Sequence, residues 1–235
     1  MAPTIRVILM SPRYKGNLGF ICRAMANFGL TDLFLIGPRA DRESSEARTR
    51  AVHARGLLSS ATVVSTLEDA LSGVDFTVGT TARSNPGEQL ERVAVEAGQM
   101  GRFLPGSGRV GLVLGPEETG LSRADLDRMD LLVTIPCTTT YPTMNLSHAA
   151  AILFYEITRT PLSRPFQGAG PVTVRLLGDK LQGLTGRVAL KNPGPVRRAV
   201  KALVARSLVS EPEAKAILAL VFQLEKTVGK TGCSP

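Results

Sequence analysis

Four loops of the chain carry the residue types that bind phosphates and other polar ligands. Each follows an apolar segment of strand length and is rich in glycine, hydroxyl side chains or arginine: residues 11–23, 80–87, 115–122 and 136–145. In open parallel sheets, ligands bind outside the carboxyl ends of the strands, where such loops meet. Any one loop could be an ordinary turn, but the four together predict a ligand site at one edge of a sheet.

Arg23 is the most informative charged residue in these loops. At ~100° per residue, the apolar residues Leu18, Ile21, Cys22 and Met25 share one stripe of a predicted helix, and Arg23 lies off that stripe. A guanidinium held away from the core suits a phosphate or carboxylate ligand. A solvated surface charge is the alternative, and spacing alone does not separate the two.

Nucleotide-dependent and metal-dependent chemistry find little support. GNLGFICR (16–23) lacks the G-x-G-x-x-G spacing and the later acidic residue of dinucleotide-binding folds, and no G-x-x-x-x-G-K-[ST] loop occurs. The two histidines, His53 and His148, lack metal-ligand spacing. Three cysteines are too few and too scattered for a disulfide framework or a zinc site: Cys22, Cys137 and Cys233.

Several polar residues also have plain structural explanations. His148 suits a capping or packing role, and Cys22 and Cys137 suit small buried apolar positions. Glu117 and Glu118 could perform acid–base chemistry, but carboxylates before a short helix also interact favourably with its dipole. The residues alone leave these alternatives open.

The positive charge is concentrated in the last third of the chain. Residues 1–160 hold 16 Lys+Arg and 16 Asp+Glu, whereas residues 161–235 hold 12 and 4, which accounts for the whole net charge of +8. A neutral body with a basic tail predicts an anionic partner such as nucleic acid. A solvated helical face is the alternative.

The loops follow a regular alternation of elements through residue 160. Strand-like runs at 5–10, 32–37, 61–66, 75–80, 110–115 and 131–136 alternate with helical patterns at 18–28, 43–59, 67–71, 88–98 and 123–129. Runs that are apolar on both faces predict an α/β fold, a mostly parallel sheet with helices on both faces. An apolar helix follows the last loop.

A second unit is predicted after residue 160. PLSRPFQGAGP (161–171), with three prolines and two glycines, has the composition of a linker. Helical patterns follow at 172–182, 195–209 and 211–228. The predicted organisation is therefore a sheet domain (1–160), a linker (161–171) and a small, basic, all-helical domain (172–235).

The expected compartment is the cytoplasm. No apolar stretch reaches the ~20 residues that span a bilayer. The N-terminal segment MAPTIRVILMSPRYKG lacks the order of charges and the apolar run of a secretory signal. The sparse cysteines also suit a reducing environment.

Three ordered motifs resemble those of the SpoU/TrmH-type RNA 2′-O-methyltransferases of the SPOUT class. They are Asn17-x-Gly19-x-x-x-Arg23, Gly115-x-Glu117-x-x-Gly120-Leu121, and Ile135-Pro136 followed by Met144-Asn145-Leu146. The segment GTTAR (79–83) is similar to the TrmJ-like branch, whose catalytic domain is followed by a helical extension. The resemblance covers residues 5–160 and implies a deep trefoil knot in the C-terminal part of the sheet domain, a feature that is very rare in proteins.

The resemblance also implies a function. The chain would bind S-adenosyl-L-methionine, need no metal, and methylate a tRNA ribose, at nucleotide 32 of the anticodon loop, as a homodimer whose sites are completed across the interface. Arg23 would engage the phosphate beside the target ribose and assist removal of the 2′-hydroxyl proton. Asn17 would shape the first loop, and Glu117 and Asn145 would brace the site. The implied cofactor contacts are Thr80, Thr81, Ala82, Gly115, Ile135, Thr143 and Met144, and the candidate RNA-binding residues are Arg83, Arg197, Arg198 and Lys201.

Two positions depart from the family pattern. Thr143 stands where the family usually has serine, and Pro116 stands where the TrmJ-like branch often has arginine. Arginine does not lose its proton in proteins, so a phosphate or a water must share any base role of Arg23. The alternatives are methylation of ribosomal RNA or of a base, a non-catalytic RNA-binding protein, and a tail that binds a protein or membrane surface.

Overall fold

The computed structural model describes residues 3–82, 94–137, 143–159, 168–188, 190–206 and 209–230. Within these residues, seven strands form one sheet: β1 (Thr4–Met10), β2 (Asp32–Ile36), β3 (Thr62–Val64), β4 (Phe76–Thr80), β5 (Val95–Glu96), β6 (Arg109–Leu114) and β7 (Leu131–Thr134). Their order is β3-β2-β1-β6-β4-β7-β5, and every neighbouring pair is parallel. The predicted parallel sheet is confirmed.

The helices of the sheet region follow the strands along the chain. They are α1 (Lys15–Asn27), α2 (Ser45–Ala51), α3 (Arg55–Ser60), α4 (Leu67–Leu71), α5 (Arg123–Asp127) and α6 (Leu146–Arg159). Two 3₁₀ helices, Val52–Ala54 and Ala97–Arg102, complete this part. Three longer helices come last: α7 (Pro171–Thr185), α8 (Pro193–Arg206) and α9 (Glu211–Lys230).

Helices cover both faces of the sheet, which explains the continuous apolar strands. In β1, Val7 and Leu9 belong to the larger core cluster with residues of α1 and α6, whereas Ile8 belongs to a second cluster with residues of α4. All three side chains are fully buried. Alternate residues of a strand point to opposite faces, so a strand covered on both sides must be apolar throughout.

Two predicted helices differ in the structure. A helix was expected at 88–98, and this prediction is wrong for the part that the structure describes. Val95–Glu96 forms the edge strand β5, which pairs with β7 in the register Val95↔Val133. Val95 is β-branched and buried, and such a residue gains more from packing on a sheet than its local pattern indicates. The helix expected at 43–59 is interrupted at Val52, whose φ of 52° is incompatible with a continuous α-helix.

The three last helices pack at the amino ends of the strands. Leu177, Val204, Ala214 and Leu218 form their shared buried core. Arg175 Nη2 donates hydrogen bonds to the carbonyl oxygens of the two residues before β4, Val74 at 3.0 Å and Asp75 at 2.8 Å. A cavity of about 100 Å³ lies in this contact. These helices therefore lie at the edge of the sheet opposite to the carboxyl ends.

Parts of the sequence-based prediction stay open. The predicted knot involves the loop 136–145, of which residues 138–142 lie outside the described residues. The predicted linker 161–171 is described only from residue 168, and α7 already begins at Pro171. No helix in the described part of the chain is long and apolar enough to cross a membrane.

Candidate functional site

A cleft of about 670 Å³ opens where β4, β6 and β7 end. This volume lies within the usual range for small-molecule sites, ~300–1,000 Å³. The structure brings to this cleft every residue that the resemblance assigns to the cofactor: Thr80, Thr81, Ala82, Gly115, Ile135, Thr143 and Met144. Leu146, Ala149 and Leu153 of α6 add an apolar wall.

The end of β4 is held on both sides by its neighbouring strands. The Thr80 hydroxyl donates to the carbonyl oxygen of Val113 in β6 at 3.2 Å. The Thr81 backbone N–H donates to the carbonyl oxygen of Val133 in β7 at 3.0 Å. The polar backbone and hydroxyl groups of this strand end are thus fixed at the floor of the cleft.

Gly115 allows the loop after β6 to fold back on itself. A Cβ atom at Gly115 would lie 2.3 Å from the carbonyl carbon of Gly120 and 2.3 Å from the nitrogen of Leu121. These are backbone atoms, so a side chain at Gly115 would displace the loop. Gly120 itself has a φ of +66°, in the left-handed region that favours glycine.

Glu117 joins this loop to the first motif. Its carboxylate accepts hydrogen bonds from the backbone N–H groups of Arg13 (3.1 Å) and Tyr14 (3.3 Å) and from Asn17 Nδ2 (3.2 Å). The side chain of Arg13 forms an ion pair with Glu118. Both glutamates therefore connect two loops, which favours a bracing role for Glu117 over the helix-dipole alternative.

Asn145 connects the third motif to the first. Its Nδ2 donates to Asn17 Oδ1 at 3.1 Å. Its Oδ1 accepts from the backbone N–H of Ser147 at 2.9 Å and from the Ser147 hydroxyl at 2.7 Å, as a residue that caps the start of α6 does. Residues from three separate motifs thus form one hydrogen-bonded network beside the cleft.

Arg23 lies apart from this network. It is on the exposed side of α1, it does not line the cleft, and within the described part of the chain it makes no hydrogen bond or ion pair. At ~100° per residue, six residues place it on a different side of the helix from Asn17. The structure therefore brings Asn17 and Asn145 together but leaves Arg23 exposed and outside the lining of its own chain's cleft.

The candidate RNA-binding residues are dispersed. Arg83 lies outside the described residues. Arg197 Nε donates to the Thr185 hydroxyl at 3.1 Å, and Arg198 lies beside it on α8. Lys201 Nζ donates to the carbonyl oxygen of Arg128 at 2.9 Å and lies 3.7 Å from Asp130, so it contributes to the contact between α8 and the sheet region.

Sequence reasoning did not single out Arg13 or Ser147. The sequence signal for Ser147 was its position two residues after Asn145 at a helix start, where the side chain of the capping residue accepts a hydrogen bond from the backbone N–H.

Burial raises the pKa of the Cys22 thiol to about 12, so Cys22 stays protonated and is a core residue. No cluster of possible metal ligands occurs among the described residues.

Comparison with known proteins identifies the family. The sequence profile of the SpoU rRNA Methylase family matches residues 4–155. The tRNA (cytidine-2′-O-)-methyltransferase TrmJ of Methanocaldococcus jannaschii is 40% identical over 154 residues, which cover 65% of this chain and 66% of the archaeal protein. The tRNA (cytidine/uridine-2′-O-)-methyltransferase TrmJ of Yersinia enterocolitica is 30% identical over 245 aligned positions, covering 96% of this chain and 93% of the relative.

Solved structures agree on the fold. TrmJ from Z. mobilis ZM4 superimposes with a TM-score of 0.65 at 24% identity, covering 96% of this chain and 100% of that chain. An AdoMet-bound rRNA methyltransferase from Sinorhizobium meliloti superimposes with a TM-score of 0.54 at 23% identity, covering 68% of this chain and 57% of that chain. The family match spans more than half of the sequence and includes all three motifs. The chain therefore belongs to the SpoU rRNA methylase family and is a methyltransferase.

Proposed function

We propose that the chain is an S-adenosyl-L-methionine-dependent tRNA ribose 2′-O-methyltransferase that acts on nucleotide 32 of the anticodon loop. The observation that carries the proposal is the cleft, in which seven expected cofactor residues meet beside the network of Asn17, Glu117 and Asn145. The tRNA 2′-O-methyltransferase names of its relatives support the substrate class.

The residues of the cleft fit this cofactor. Thr80 and Thr81 supply hydroxyl and backbone groups for a polar ligand, and Ile135, Met144 and Leu153 supply apolar surface. The absence of a side chain at Gly115 lets the loop after β6 fold back on itself and line the cleft. When bound, S-adenosyl-L-methionine supplies the methyl group.

The chain's own residues would mainly position the ribose. Transfer of a methyl group from a sulfonium requires the 2′-oxygen to be held close and in line, which is a matter of orientation. Arg23 would bind the phosphate next to the target ribose. A guanidinium does not accept a proton, so the 2′-hydroxyl proton would leave to an RNA phosphate oxygen or to water.

A homodimer would explain why Arg23 does not line the cleft of its own chain. Phe20 and Tyr155, on α1 and α6, expose 39% and 50% of their surfaces. Exposed aromatic residues on two packed helices favour a protein interface. In such a dimer, Arg23 of one protomer would complete the cleft of its partner.

The helices after residue 170 would contribute affinity for RNA. Residues 161–235 carry the whole net charge of the chain, and Arg197 and Arg198 lie together on α8. Such residues neutralise phosphates, and the binding they provide weakens with salt. Changing both arginines to glutamate should weaken tRNA binding and reduce the slope of log K against log salt by ~1 per lost contact. Unchanged affinity and slope would favour a protein or membrane partner for this region.

Mass spectrometry of nucleosides tests the reaction itself. The purified protein is incubated with a tRNA transcript and isotopically labelled S-adenosyl-L-methionine, and the RNA is digested. A labelled 2′-O-methylcytidine or 2′-O-methyluridine that maps to nucleotide 32 is the expected product. A methylated base, a product only on ribosomal RNA, or binding without methylation would favour one of the alternatives.

A further inference from the structure

We infer that Ser147 is a positioning residue that restricts Asn145 to donating hydrogen bonds within the site. The hydrogen-bond geometry supports this role directly. Its effect on catalysis rests on the proposed function. The chain of contacts runs from Ser147 through Asn145 and Asn17 to Glu117. None of the three motifs by itself assigns a role to Ser147.

The donor and acceptor of each hydrogen bond in this series are fixed by the groups at its two ends. At one end, the Ser147 backbone N–H can only donate, so the Asn145 atom 2.9 Å away must be the oxygen Oδ1. At the other end, the Glu117 oxygen that accepts the Tyr14 backbone N–H acts as an acceptor, so the Asn17 atom 3.2 Å away must be the nitrogen Nδ2. The two amides between these ends then meet in one orientation only, with Asn145 Nδ2 donating to Asn17 Oδ1 at 3.1 Å.

The Ser147 hydroxyl completes the restriction. A carbonyl oxygen has two lone pairs, and Asn145 Oδ1 already accepts the Ser147 N–H and the Ser147 hydroxyl, the latter at 2.7 Å. One Nδ2 hydrogen of Asn145 is bound to Asn17, and the second has no partner in the described residues. Asn145 is exposed, so it can interact with a substrate. The only group that it can offer to a substrate oxygen is an N–H donor.

This orientation has a chemical consequence. An N–H donor can hold the lone pair of a ribose or phosphate oxygen, but it cannot receive the 2′-hydroxyl proton. Without the Ser147 hydroxyl, one lone pair of Asn145 Oδ1 becomes available to accept that proton in a hydrogen bond, which would orient the hydroxyl differently. Ser147 is buried (7% exposed), so its hydroxyl acts on Asn145 and not on the substrate.

A double-mutant cycle tests the role of Ser147. Ser147→Ala is expected to lower kcat roughly 3- to 10-fold, the range of one hydrogen bond, while Asn145→Ala lowers it further. If Ser147 acts through Asn145, adding Ser147→Ala to Asn145→Ala has no additional effect. Additive losses would show a separate, structural role and overturn the inference. Ser210→Ala is the matched control, because Ser210 also places a hydroxyl at a helix start, bonded to Glu213, but far from the cleft.

Two further measurements separate this inference from the proposed function. Asn145→Asp keeps the shape but removes the N–H donor, so it is expected to lose activity as Asn145→Ala does; full activity would overturn the inference. The side-chain amide hydrogens of Asn17 and Asn145 should exchange slowly by NMR in the wild type and faster in Ser147→Ala. That result can hold even if no RNA is methylated, in which case the proposed function fails and the hydrogen-bond chain stands. Rapid exchange in the wild type would overturn the hydrogen-bond chain.

Discussion

Asn145 donates a hydrogen bond to Asn17 across 128 residues of sequence, at a distance of 3.1 Å. Asn17 lies in the first turn of α1, after β1, and Asn145 immediately precedes α6, after β7. The two strands are separated in the sheet by β6 and β4. This single contact shows that the first and third motifs belong to one site.

Gly115→Ala should weaken binding of S-adenosyl-L-methionine. The new Cβ would lie 2.3 Å from backbone atoms of Gly120 and Leu121, so the loop that lines the cleft must move. Such overpacking costs ~1–3 kcal/mol, which corresponds to roughly a 5- to 150-fold rise in the Kd of the cofactor. Isothermal titration calorimetry measures this Kd for the wild type and the variant. Gly106→Ala is the control, because its Cβ would meet nothing within 4 Å; equal affinities in the two variants would contradict the cleft assignment.

Arg23→Ala should lose methylation but keep cofactor binding. Arg23 lies outside the cleft of its own chain, so its removal leaves the cofactor residues in place. Loss of a charged donor at a reacting group reduces kcat by ~10²–10³. Arg102→Ala, which changes another exposed arginine, should retain full activity.

Mixing variants tests whether Arg23 acts across a dimer. Arg23→Ala retains an intact cleft, and Gly115→Ala retains Arg23. If each site combines residues of two protomers, co-refolded mixtures assayed at a cofactor concentration too low to saturate Gly115→Ala should be more active than either variant alone. Mixtures that stay inactive, while size measurements show that mixed dimers have formed, would place Arg23 in its own chain's site.

Tyr155→Glu should disrupt self-association. Tyr155 exposes half of its surface, and its ring meets Phe28, the residue that follows α1, edge-on at 6.3 Å between centroids. A carboxylate at this surface would have to lose its water on dimerisation, and burying a charge is unfavourable even beside Arg159, whose guanidinium carbon lies 5.2 Å from the Tyr155 ring centroid. Sedimentation velocity should show a monomer for Tyr155→Glu and a dimer for the wild type. Leu203→Glu changes an apolar residue on α8 that is 65% exposed, and this variant should remain dimeric.

Acidification should weaken the start of α9. A hydrogen bond from the backbone N–H of Gly170, with a further one from the Thr173 hydroxyl, lowers the pKa of Glu211. A lowered folded-state pKa gives stability that is complete above the unfolded value, ~4.3, and is lost as the pH falls through the folded value. Glu211→Gln should therefore be less stable than the wild type at pH 6, and the difference should shrink towards pH 3. Thermal unfolding across this range measures it, and a constant difference would contradict the assignment.

The loops could be assigned to one sheet edge from local patterns. Apolar runs of six residues identified most strands, because a strand covered on both faces must be apolar throughout. The loops between them then had to emerge at the carboxyl ends, which is why all seven expected cofactor residues meet in one cleft. The edge strand at Val95 escaped detection, because its two residues are defined by pairing with Val133 rather than by a pattern of their own.

The sequence by itself determined the residue types of the site, the order of the strands along the chain and the position of the basic region. Only the tertiary structure decided which polar groups pair: Asn17 with Glu117, Asn17 with Asn145, and Lys201 with the sheet region instead of solvent. It also decided that Arg23 does not line the cleft of its own chain. The physical reason is that periodicity reports which side of an element is buried, whereas a hydrogen bond depends on the distance between elements that are far apart in the chain.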